Sequence, residues 1–99
     1  MLPIDFKTFK DTLDFSLPPE KWTLALKALW YDAKGDWNAS HNIAQDLHTP
    51  MGSWIHAYLH RKEGDDWNAA FWYRQADQPF PKYGMDEELK QLVEMAIQG

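Results

Sequence analysis

Apolar side chains recur along the chain at spacings of three and four, the period of a helix with one buried face. Phe6, Phe9 and Leu13 share a face over residues 5–14. Pro18 and Pro19 suit a first helical turn, so a second helix is expected from there to residue 34. Its polar stripe is Glu20, Thr23, Lys27, Tyr31 and Lys34, and the remaining width is apolar, which predicts burial against more than one neighbour. Further helices are predicted over 37–47, over 50–63 behind Thr49-Pro50, over 66–77, and over 85–98, where Leu89, Leu92, Val93, Ala96 and Ile97 form a stripe. No segment alternates with period two, so no sheet is expected. The chain reads as one all-α domain of about six helices in antiparallel hairpins.

One stretch returns. Gly35-Asp36-Trp37-Asn38-Ala39 reappears as Gly64-Asp65-Asp66-Trp67-Asn68-Ala69, with one extra Asp. Ala28 matches Ala57 at an offset of 29, and Ile43 matches Tyr73 at an offset of 30. Each copy has the same physical content. Glycine takes the left-handed position past a helix end, and aspartate accepts from free N–H groups at the next start. A connection this short makes the two helices antiparallel neighbours.

These residues resemble the tetratricopeptide family of helical repeats. The best match is residues 57–81, with Ala57, Gly64-Asp65, Ala69, Tyr73, Ala76 and Pro81 in the family's order. Residues 24–50 match less closely: Ala28, Tyr31 and Gly35-Asp36 fit, while Ile43 and Leu47 replace the aromatic and the small residue. The resemblance implies an α-solenoid, or a compact right-handed superhelical variant. Its parts would be an N-terminal capping helix (1–17), repeat one (18–48), repeat two (49–81) and a C-terminal capping helix (82–99). It also implies a protein- or peptide-binding groove formed by the first helix of each pair. That groove would carry Trp22, Ala25, Leu29 and Asp32, then Met51, Trp54, Tyr58, Arg61 and Lys62.

Composition narrows the function. Fifteen acidic against ten basic residues give a net charge of −5, a surface that repels phosphate backbones, so nucleic-acid and anionic-membrane partners are not expected. The absence of cysteine removes disulfides, thiol catalysis and thiolate zinc sites. No apolar run reaches membrane-spanning length and no secretion signal is evident, which makes the cytoplasm the default compartment. Six tryptophans are mainly read as core, because a short chain needs large side chains to bury enough area.

The remaining chemistry is histidine. His56, His60 and Glu63 lie on one stripe of the fourth helix, at spacings suited to a metal ion or to a general base with its orienting acid. The same stripe also reads as a solvated face or as a hydrogen-bonded seam. If the third and fourth helices pack antiparallel, His41 or His48 approaches it. No catalytic set and no cofactor motif is present. The expectation is therefore a non-enzymatic partner-binding module, with self-association as a further option. A small metal-dependent or His-based enzyme centred on His56, His60 and Glu63 is the alternative.

Overall fold

A computed structural model of the chain describes residues 2–99, and among them it is all-helical. The elements are α1 (Phe6–Asp11) with a 3-10 turn (Thr12–Asp14), α2 (Leu24–Ala33), α3 (Trp37–Ala44), α4 (Pro50–Lys62), α5 (Asp66–Gln75) and α6 (Met85–Gln98). Local chemistry sets most boundaries. Asp5 and Thr8 form a reciprocal capping box at α1. Thr49 caps α4 ahead of Pro50. Acidic residues fill the first turn of α6, where the helix dipole favours them. The second helix begins later than the prolines suggest. The Thr23 side chain accepts from the Leu26 N–H, and the chain before it makes a turn through Pro19 and Trp22.

Helices α2 and α3 form one hairpin and α4 and α5 another, and α3 packs against α4. The two hairpin turns are built alike. Gly35 and Gly64 sit at φ +89° and +87°, a region open to glycine at little cost. The Asp36 and Asp65 N–H groups reach back to the Tyr31 and His60 carbonyls, and the same residues cap the following helices through their side chains.

Equal turns expose a misalignment in the matched motif. The helices are related by the turn offset of 29, so Ser40 and Ala44 correspond to Ala69 and Tyr73, and all four are buried. The extra Asp66 therefore displaces the second tryptophan by one position, about 100° around the helix. Trp37 turns inward and its indole N–H donates to the Leu59 carbonyl at 2.9 Å. Trp67 faces solvent and is 88% exposed.

The terminal helices do not seal opposite ends of the pair. Helix α6 lies against α2 and α4 and meets α1 there, whereas α5 packs chiefly on α4. The core is Phe9 from α1, Leu26, Leu29 and Trp30 from α2, Ile55 and Leu59 from α4, Tyr73 from α5, and Leu92 and Val93 from α6. No helix among the described residues is long and apolar enough to cross a membrane.

Candidate functional site

The surface expected to be a partner groove is largely occupied by α6. Glu88 stands on the apolar stripe of that helix, one turn before Leu92, and is fully buried. Its Oε2 accepts from the Trp54 indole N–H at 3.1 Å and from the Tyr73 hydroxyl at 2.6 Å, and its Oε1 accepts from Arg61 at 2.8 Å. Arg61 also donates to the Tyr83 carbonyl. An arginine and two aromatic donors do capture a carboxylate here, and the chain itself supplies it.

The rest of the expected groove is closed in a similar way. Asp32 is buried, accepting from the Tyr58 hydroxyl at 2.8 Å and from Lys62 at 2.8 Å. Burial, reinforced by the Asp32 charge, pushes the Tyr58 phenol well above its ordinary range. Leu29 is core, and Trp22 stacks on Phe9 with ring centres 5.8 Å apart. What stays open is a cavity of ≈ 420 Å³ beside α1 and the start of α6, lined in part by Phe9, Leu13, Leu89, Asp32 and Lys62. Of the nine groove residues, Trp22, Leu29, Asp32, Trp54 and Tyr58 are buried, and only Lys62 is substantially exposed.

The second candidate is the histidine stripe. His56 and His60 do face inward and are buried, with ring centres 4.8 Å apart. Glu63 does not join them as a convergent third group. It stands behind His60, its Oε1 2.7 Å from Nδ1. The third member is His41, delivered from α3, whose Nε2 lies 3.0 Å from Nε2 of His56. One ring nitrogen from each of His41, His56 and His60 falls within 4.8 Å of the other two. His48 is exposed and lies outside the cluster.

Aromatic rings wall the three imidazoles. Trp37 stacks on His41 with centres 4.7 Å apart, and Trp72 stacks on His56 at 4.1 Å. Burial in this setting disfavours the imidazolium. It lowers the His56 pKa to about 4, helped by the neighbouring His41 and His60. Burial lowers His41 too, with His60 adding to the effect and Glu63 opposing it. Both shifts favour the uncharged ring, which keeps one lone pair.

No family model, curated protein or solved structure matches this chain.

Of the two residues that complete these sites, Glu88 escapes a helix-by-helix reading, and His41 is anticipated only as one of two histidines that approach if α3 and α4 pack antiparallel. Glu88 sits within an acidic run that serves the helix dipole, and its i, i+4 relation to Leu92 is the only sign that it points inward. His41 lies one turn after Trp37 on the same face, but its partners sit on another helix.

Proposed function

We infer that this domain is a protein-binding helical-hairpin module of tetratricopeptide-like design, and that it docks through the outer face of α5. The observation carrying this reading is a contrast between equivalent positions. At the turn offset of 29, the outward positions of α3 are Asn38 and Asn42, both exposed, as expected for a solvated face. On α5 the same positions hold Trp67 and Phe71, also exposed. Arg74 continues the face one turn on and makes no ion pair among the described residues.

Trp67, Phe71 and Arg74 are spaced i, i+4, i+7, the pattern by which a helix presents anchors to a groove. Tryptophan and arginine are the residues that most often dominate interface energies. The partner that fits is a protein with an apolar groove and a carboxylate at the end facing Arg74. The family-like design is supported by the two glycine-aspartate hairpins and by the packing of α3 on α4.

A photo-crosslinking residue placed at position 67, with one at position 38 as control, tests the assignment in the native cell. The expected result is an adduct with a heterologous protein from position 67 alone. It should disappear in Arg74→Glu and Phe71→Ser without loss of folding. Equal adducts from both positions, an adduct indifferent to Arg74→Glu, or an adduct with a second copy of the chain would overturn the reading.

A further inference from the structure

We propose that His41, His56 and His60 form a binding site for one divalent transition-metal ion of the zinc class, which would tie the first hairpin to the second. The inference is independent of the α5 surface. It starts from convergence: two imidazoles one helical turn apart on α4 meet a third from α3, with their nitrogens within 4.8 Å of one another.

The spacing suits the chemistry. Zinc binds imidazole nitrogen at about 2.0–2.1 Å in tetrahedral geometry, which separates ligand nitrogens by about 3.3 Å. His41 and His56 are already 3.0 Å apart. The remaining nitrogen, from His60, has to close by at most about 1.5 Å, which a small side-chain rotation supplies.

The donor set selects the ion. Three imidazoles without thiolate suit zinc, cobalt, nickel and copper. They do not suit magnesium or calcium, which take oxygen ligands. Glu63 at His60 Nδ1 is the supporting carboxylate that fixes a ligating imidazole, leaving Nε2 as the free nitrogen of that ring. Trp37 and Trp72 hold the other two ring planes, and Trp37 is itself anchored on the Leu59 carbonyl. The fold therefore supplies ligands, a carboxylate behind one of them and an apolar wall. Three protein ligands leave one coordination position for water.

The test is calorimetric titration of the tag-free full chain with Zn²⁺, together with the visible absorption of added Co²⁺. One ion per chain and a tetrahedral cobalt spectrum are expected. His41→Gln, His56→Gln and His60→Gln should each weaken binding at least about 100-fold, and Glu63→Gln about 10–100-fold. His48→Gln should bind as the parent does. Binding that survives His41→Gln, or that falls equally in His48→Gln, overturns the site, as does a parent chain that takes up no stoichiometric ion. If a cluster variant fails to fold, the parent alone decides. Co²⁺ must shift the ring resonances of His41, His56 and His60 and the indole N–H of Trp37 while leaving His48 in place. Selective shifts at His48 instead would refute the proposal.

Discussion

Glu88 offers the sharpest quantitative test of how the groove is closed. The perturbation is Glu88→Gln, which keeps the shape and removes the charge. The carboxylate takes two donors on Oε2, from Trp54 and Tyr73, and Arg61 on Oε1. A glutamine amide has one accepting end. Turned toward Trp54 and Tyr73, it keeps two neutral bonds and points its NH₂ at the Arg61 guanidinium, donor against donor. Turned the other way, it satisfies Arg61 and leaves the indole N–H facing an NH₂. The better orientation still loses a charge-assisted bond, a cost of about 2–3 kcal/mol. Glu88→Leu leaves the Trp54 and Tyr73 donors without an acceptor and Arg61 with the Tyr83 carbonyl alone, and should cost about 3–5 kcal/mol. Against a domain stability of about 5–15 kcal/mol, both are large. Equilibrium urea unfolding at pH 7 measures them, and a cycle with Arg61→Met isolates the pair. A loss under about 1 kcal/mol in Glu88→Gln would refute the picture of a desolvated carboxylate joining α6 to α4 and α5.

Other outcomes follow from the same structure. Gly64→Ala places a side chain at φ +87° and should cost about 1–2 kcal/mol in urea unfolding, with Gly35→Ala similar at +89°. Asp65→Ala removes the side-chain cap of α5 and should cost about 0.5–2 kcal/mol by the same measurement. Trp67→Ala, by contrast, should change stability by less than about 0.5 kcal/mol, because the ring packs on little. Alkaline stability should reflect two phenols. Burial raises both Tyr58 and Tyr73, with the charge of Asp32 adding at Tyr58 and the bond to Glu88 adding at Tyr73. The unfolded chain releases these protons near pH 10 while the folded chain holds them. Stability is therefore full below about pH 10 and falls above it, by up to about 1.4 kcal/mol per pH unit for each tyrosine. Urea unfolding between pH 9 and 11.5 should show a shallower decline in Tyr58→Phe and Tyr73→Phe.

The helices were legible because their signals are local. Thr49-Pro50 marks α4, and the stripe from Leu89 to Ile97 marks α6 within its observed bounds. Local signals fail where a neighbour decides. Trp22 precedes α2 instead of lying on it, because Thr23 competes for the cap and Phe9 supplies a stacking partner. The residues expected to form a groove carry no sign of what covers them, since nothing in the Trp54 to Lys62 segment announces a carboxylate 34 positions beyond Trp54. The histidine stripe was visible through its spacing, yet its third member depends on how two hairpins pack. The matched Trp-Asn-Ala words misled for another reason. Identical letters compared across an added residue describe different directions in space.

That extra residue bears on the whole of α5. A helix counts positions from its cap, so one residue more before Trp67 than before Trp37 sends a bulky ring to the surface while the preceding turn is built alike. The same step of about 100° applies to every later side chain, so the inward places of α5 need their own occupants, and Ala69 and Tyr73 are the residues that take them.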